Sequence, residues 1–351
     1  MSSPWLRKNG MLIRARAPLR LGLAGGGSDV SPYCETYGGC VLNATIDRYA
    51  YAILKPTDDG AIRFNAADQQ QSETLPRSTD LPLTSGLRLH RAVYNEIASR
   101  FNGGKPLGIE LTTYCDAPVG SGLGASSTIV VVMIKAFAEM LNLPLDDYSI
   151  AQMAYKIERI DCSLQGGRQD QYAAAFGGFN FMEFYEDDRA IINTLRIKDW
   201  IVCELEASTV LFYTGISRES ATIISDQSRN VTNGEDDAIE AMHGLKREAV
   251  RMKECVLKGD FTGMIGCIND GWTSKKRSAR TVSNPHIDEL FAAAMSSGAL
   301  AGKVSGAGGG GFMMFFVPPE RRMDVIATLS RFPGAVSNCH FTMKGAEAWR
   351  V

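Results

Sequence analysis

Between residues 118 and 127 the chain reads Pro118-Val-Gly-Ser-Gly-Leu-Gly-Ala-Ser-Ser127, with glycine at three alternate positions. An alternating run precedes it (Leu107, Ile109 and Leu111 against Glu110 and Thr112), and an apolar run to about Leu141 follows. The pattern predicts a strand, a tight glycine loop and a buried helix. Such a loop brings backbone N–H groups close to a ligand, and the helix that starts near Ser126 adds free N–H groups and the positive end of its dipole. Together they suit an anion such as a triphosphate. Ser126 and Ser127 can cap the helix or ligate a hard cation. The plainer reading is a glycine-rich turn with an ordinary serine cap.

Two common phosphate loops are excluded. Gly298-Ala-Leu-Ala-Gly302-Lys303-Val304 is one residue short of a Walker A loop and lacks its hydroxyl. Neither Gly120-Ser-Gly-Leu-Gly124 nor Gly22-Leu-Ala-Gly-Gly-Gly27 meets G-x-G-x-x-G.

Three further segments carry chemistry. Arg16-Ala-Pro-Leu-Arg-Leu-Gly-Leu-Ala-Gly-Gly-Gly-Ser-Asp29 ends a strand with Arg20, then Gly26, Gly27, Ser28 and Asp29, where a carboxylate on a glycine loop suits hydroxyl recognition; a helix-capping turn is the plainer account. Lys303-Val-Ser-Gly-Ala-Gly-Gly-Gly-Gly-Phe312 lies between two strands, and its glycines are costly to order. Glu158 stands at the margin of an apolar helical face running from about Asp147 to Ile160, where most glutamates are merely solvated. Asp170 follows Gly166-Gly-Arg-Gln and leads into Ala173-Ala-Ala175.

A length of 351 residues is expected to form two domains, 1–200 and 201–351. The second half (strand, long polar helices, strand, glycine turn, strand, helix, strand) fits a split β-α-β sandwich. No short-period repeat is visible. Lysine and arginine number 37 against 39 acidic residues, so nothing electrostatic favours nucleic acid or an anionic membrane as partner. The longest apolar run, Ile129 to Ile134, is too short to span a bilayer, and no apolar leader follows the charged N-terminus. Eight scattered cysteines without C-x-x-C read as reduced thiols in a cytoplasm, and four isolated histidines argue against structural zinc.

The four segments occur in the order of the GHMP kinases (galacto-, homoserine, mevalonate and phosphomevalonate kinases). Pro118 to Ser127 resembles that family's P-x-G-x-G-L-G-x-S-S motif, Lys303 to Phe312 its K-x-x-G-A-G-G-G-G motif, and Ala17 to Asp29 its first motif. Glu158 precedes Asp170 by twelve residues (170 − 158), as in galactokinase-like chains. The first motif departs from the galactokinase form, which argues against galactose. Leu-Ala-Gly-Gly-Gly-Ser-Asp29, Gly-Arg-Gln-Asp-Gln-Tyr172 and Trp272-x-x-Lys275-Lys-Arg277 look most like the branch acting on a heptose 7-phosphate, with fucokinase-like enzymes next.

The resemblance implies an α+β fold of two domains, the first like ribosomal protein S5 domain 2 with a left-handed β-α-β crossover, the second a ferredoxin-like α/β sandwich. It implies ATP and Mg²⁺ as cofactors and a sugar phosphate as the second substrate, in a monomer or homodimer. The nucleotide phosphates would lie on Pro118, Gly120, Ser121, Gly122, Leu123, Gly124, Ala125, Ser126 and Ser127, with Mg²⁺ on Ser126 and Glu158. Asp170 would take the proton of the attacking hydroxyl, and Arg20 would steady the transferred phosphoryl. Gly26, Gly27, Ser28, Asp29, Arg168, Gly306, Ala307, Gly308 and Gly309 would hold the acceptor. Phosphorylation at C1 would give a 1,7-bisphosphate, a step toward GDP-activated heptose. Lys275, Lys276 and Arg277 are candidate phosphate anchors by charge alone. A kinase of free sugars and a non-catalytic ATP- and sugar-binding sensor are the alternatives.

Overall fold

The computed structural model describes residues 11–118, 120–216 and 220–351. Arg7 and Lys8, which bear on the expected absence of a leader, lie outside the described residues. The alternating start of the chain forms β1 (Ile13–Ala24), and a short helix α1 (Tyr33–Tyr37) leads into the long strand β2 (Gly39–Pro56). Next come β3 (Ile62–Ala66), β4 (Gln71–Leu75), α2 (Arg88–Phe101), β5 (Ile109–Cys115), α3 (Ala125–Leu141), α4 (Asp147–Tyr155), α5 (Gln169–Phe176), β6 (Phe179–Phe184) and β7 (Ala190–Thr194). The remainder comprises α6 (Asp199–Ser208), β8 (Thr209–Tyr213), α7 (Ser220–Thr232), α8 (Asp236–Lys258), α9 (Phe261–Ser278), α10 (Pro285–Ser297), β9 (Ala301–Val304), β10 (Phe312–Phe316), α11 (Arg322–Leu329), β11 (Ala335–Ser337) and β12 (Glu347–Arg350).

The strands form two sheets. The first runs β12-β1-β2-β5-β3-β4, with β6 and β7 continuing from the far end of β2. Its pairs are antiparallel except β3 with β5, which β4 and α2 separate along the chain. The second sheet, β11-β8-β10-β9, is antiparallel throughout. The last strand of the chain thus returns to the first sheet, pairing Ile13 with Arg350.

Burial explains the elements. In α3 the residues Ile129 to Ile134 are buried on every side, so packing overrides the poor helix propensity of a β-branched run. Asn142, left-handed at φ 51°, ends the helix with its N–H on Ala138 O. Ile13, Ala15, Ala50 and Ala52 join α3 in one core, while Leu19, Leu21, Leu42 and Ala44 pack into a second core with α8 and α9. The β1–β2 hairpin therefore carries the chain from one core to the other, and its pairing shifts register between Pro18 and Arg20. The second sheet is buried on both faces: Phe312, Met314 and Phe316 face the second core, and Met313 and Phe315 face a third one under α10 and α11.

Most expected elements are present. Among the elements without a signal in the sequence, α5, α7, β3 and β4 are too short or too polar to stand out by periodicity; α9 extends as far as Ser278. Phe137 lies in α3 with no exposed surface. Phe137→Ala is expected to destabilise the protein by about 3–5 kcal/mol, read as a lower urea midpoint at unchanged slope.

Candidate active site

The loop between β5 and α3 places Gly120, Gly122 and Gly124 at φ 76°, 78° and 79°. A side chain would clash with backbone at Gly122 and would be strained and crowded at Gly124. A Cβ on Gly122 would lie 2.4 Å from Ser305 O, and one on Gly124 would lie 3.1 Å from the carboxyl carbon of Asp170. The loop is thus clamped between the Lys303–Phe312 segment and α5. Gly124 is the N-cap of α3 and offers no side chain, so the first N–H groups of the helix stay open toward the cavity that Ser126 and Ser127 line. The Ser121 hydroxyl lines the same cavity, buried and without a partner. Unpaired donors at a helix start make an anion seat.

Arg20 crosses from β1 to this loop. Its Nε donates to Asp170 Oδ1 at 2.6 Å, and its Nη1 donates to Gly122 O at 2.6 Å and to Ser305 Oγ at 3.4 Å. Oδ2 of Asp170 carries no hydrogen bond among the described residues, and the side chain keeps 19% of its surface open. Asp170 stands in the first turn of α5.

Glu158 has no exposed surface. The helix containing α4 widens into a π-helical turn over Lys156–Asp161, and Cys162 N bonds to Ile157 O five residues back. The extra residue turns Glu158 inward. Its Oε1 accepts from Ser126, and its Oε2 accepts from Ser127 at 2.6 Å and Gln171 at 2.7 Å. Arg159 lies 3.3 Å from the same carboxylate and lines the cavity.

The expected site residues divide into two groups. Arg20, Gly26, Gly27, Asp29, Gly120, Ser121, Gly122, Gly124, Ala125, Ser126, Ser127, Asp170, Gly306 and Ala307 line one cavity. Others do not. The Ser28 hydroxyl is buried between Gly25 O and Cys40 O, 2.8 Å from each, so it pins backbone instead of facing a ligand. The Arg168 side chain turns away, toward Glu35 at 2.7 Å and Asp188 at 3.1 Å. Gly308 and Gly309 pack on Val282, whose carbonyl accepts from Gly309 N at 2.8 Å. Leu123 fills the second core, and Pro118 does not reach the cavity lining. Asp29 lines the cavity, yet both its oxygens are engaged: Oδ2 accepts from the N–H groups of Arg168 (2.9 Å) and Gln169 (3.1 Å), and Oδ1 from Gly27 N (3.1 Å) and Gln169 Nε2 (3.0 Å). It anchors the start of α5, and through α5 the position of Asp170.

Several cavity residues carry no sequence signal of their own. Lys303 and Gln169 were visible only as members of motifs, and Arg159 and Gln227 fit no pattern. The lining holds four cations (Arg20, Arg159, Lys275, Lys303) against two carboxylates (Asp29, Asp170), so this surface favours anions although the whole chain is slightly acidic. Burial pushes Lys275 down to about 8 against the opposing pull of Asp29. Burial, then the charges of Lys275 and Arg20, push Lys303 down to about 7.

Both values lie below the ordinary 10.5, so the unfolded chain binds more protons at these two lysines across the interval between. Their contribution to stability therefore rises with pH. Lys275→Met is expected to be more stable than wild type near pH 6.5, with the advantage shrinking toward pH 9 in urea titrations. A constant advantage would show that Lys275 does not carry a buried charge.

The chain matches the GHMP kinases N terminal domain over residues 88–178 and the GHMP kinases C terminal domain over 252–333. It is 47% identical to a D-glycero-alpha-D-manno-heptose 7-phosphate kinase of Campylobacter jejuni, over 97% of this chain and 99% of that one. The crystal structure of a D-glycero-D-manno-heptose 1-phosphate kinase from Bacteroides thetaiotaomicron superimposes with a TM-score of 0.82 at 44% identity, covering 97% and 99% of the two chains. Lactococcus lactis galactokinase complexed with galactose shares the fold, with a TM-score of 0.75 at 15% identity and coverage of 96% and 95%. With the glycine loop and clamped aspartate at one cavity, a buried glutamate behind the loop's serines, and similarity over 97% of the chain, the protein belongs to the GHMP kinase family.

Proposed function

We propose that the protein transfers the γ-phosphoryl of ATP to the C1 hydroxyl of D-glycero-D-manno-heptose 7-phosphate, giving the 1,7-bisphosphate, a precursor of GDP-activated heptose. The observation that carries this reading is 47% identity over nearly the full length with the Campylobacter jejuni heptose 7-phosphate kinase, in a chain whose Arg20–Asp170 pair lies against the glycine loop.

Phosphoryl transfer demands positioning and neutralisation of charge more than covalent help from the protein. The open N–H groups at the start of α3 and the Ser121 hydroxyl receive the β- and γ-phosphates. The acceptor hydroxyl lies at Asp170 Oδ2. Its proton passes to that oxygen as the new O–P bond forms and the bond to the β-phosphate oxygen breaks, releasing ADP. Arg20 keeps Asp170 in place through Oδ1 and directs its remaining N–H donors toward the transferred group. Asp29 acts on the acceptor indirectly, by fixing α5.

No group of three or more His, Cys, Asp or Glu occurs among the described residues, so a cation here would draw on few protein ligands. The cavity-lining Ser126 hydroxyl and Glu158 Oε1 are adjacent hard oxygens and would hold Mg²⁺, with phosphate and water completing its ligands. When bound, Mg²⁺ would neutralise charge on the β- and γ-phosphate oxygens.

ADP release with ATP and Mg²⁺ tests the reading against heptose 7-phosphate, heptose 1-phosphate, fucose, mannose, galactose and mevalonate. The 1-phosphate belongs in the panel because the Bacteroides relative is named for it. Turnover with the 7-phosphate and not the free sugars is expected; turnover with a free sugar alone would discard the heptose assignment, and ATP binding without turnover would favour a sensor. Asp170→Asn should lower kcat by roughly 10²–10⁴ while the fold is retained, and wild-type turnover would remove Asp170 from its role. Glu158→Gln should raise the Mg²⁺ concentration for half-maximal rate by roughly 10- to 100-fold.

A further inference from the structure

One end of the cavity is charged for a ligand that the transferred phosphoryl does not account for. Lys275, on α9, is 5% exposed, and its Nζ donates to Gly26 O at 2.8 Å. Lys303, on β9, donates to Leu23 O at 3.1 Å. Neither has a carboxylate within ion-pair distance among the described residues, and the nearby Asp29 is already saturated by backbone and Gln169. Two buried lysines held this way repel each other when both are charged and lack an ion-pair partner among the described residues, which makes the charged pair costly unless an anion enters. A third donor stands beside them. Trp272, one turn before Lys275 on α9, is 3% exposed and lines the same cavity, and its indole N–H has no partner.

The location separates this cluster from the nucleotide loop. Both lysines are bonded to the segment 23–27, next to Gln169 and Asp170, and neither bonds to the loop 120–127 among the described residues. Trp272, Lys275 and Lys303 line the same cavity as Asp170, the side from which an acceptor would be attacked.

We infer that Lys275 and Lys303, with the Trp272 indole N–H, form the seat for the phosphate that the acceptor already carries, and that this seat selects a phosphorylated sugar over a free one. The inference rests on the acceptor reading given under Proposed function. It assigns the discrimination to α9 and β9, which the C-terminal half of the chain supplies.

Two measurements test it. With the nucleotide loop filled by a non-hydrolysable ATP analogue and Mg²⁺, inorganic phosphate is titrated calorimetrically into wild type, Lys275→Gln and Lys303→Gln. Wild type should bind phosphate, and each variant should bind it about 10- to 100-fold more weakly, the scale of one charge-assisted contact. No binding by wild type, or equal binding by all three, overturns the seat. In the second measurement, kcat/KM is compared for heptose 7-phosphate and the unphosphorylated heptose. The preference for the phosphorylated acceptor should fall by about 10- to 100-fold in Lys275→Gln, through the KM of that acceptor. A loss carried by the KM for ATP, or by kcat equally on both acceptors, places Lys275 at the transferred phosphoryl and overturns the inference. Phosphate binding as expected with a wild type inert toward heptose 7-phosphate would instead overturn the acceptor reading and leave the seat in place.

Discussion

The guanidinium of Arg20 joins four separate stretches of the chain. Its donors reach Asp170 on α5, Gly122 in the loop before α3 and Ser305 after β9, while its backbone N–H bonds to Leu123 O from β1. A planar group with several fixed donors can hold such a junction; a lysine ammonium would lack the geometry. The register shift beside Arg20 brings the strand to this point. Without the junction, the glycine loop, the aspartate and the Lys303–Phe312 segment would have no common reference.

Around it the protein separates rigidity from reactivity. Asp29 and Ser28 spend their polar atoms on backbone, and so hold the start of α5 and the turn at Gly25. Asp170, Ser121 and the first turn of α3 keep polar atoms open. For Asp29 and Ser28 a bond to a ligand would only replace one that the fold already makes. Charge follows the same division. A chain with net charge −2 concentrates four cations in one cavity, two of them lysines whose proton affinity burial has lowered.

Legibility in the sequence followed local physics. The strand–glycine loop–α3 unit could be read because alternation, glycine spacing and an apolar run are properties of neighbouring residues. The same holds for β10 and α8. Glu158 looked like a solvated residue at the edge of a helical face, because a 3.6-residue period was assumed where the chain adopts a π-helical turn. Lys275, in the last turn of α9, was one of several basic residues that charge alone could not rank. Glycines at 263, 266 and 271 weaken that helix locally, but its packing into the second core carries it on to Ser278.

The sequence by itself determined the family and the two-part α+β fold, and it singled out Arg20, Asp170, Glu158 and the loop 120–127 as candidates, because these depend on short patterns of residue type at set spacing. Tertiary structure alone decided which polar groups are free. Arg168 pairs with Glu35 on another element, Ser28 is enclosed by the turn at Gly25 and Cys40, and Lys275 meets a carbonyl 249 positions away. Whether a side chain serves the fold or faces a ligand is settled by partners distant in sequence, and spacing along the chain carries no record of them.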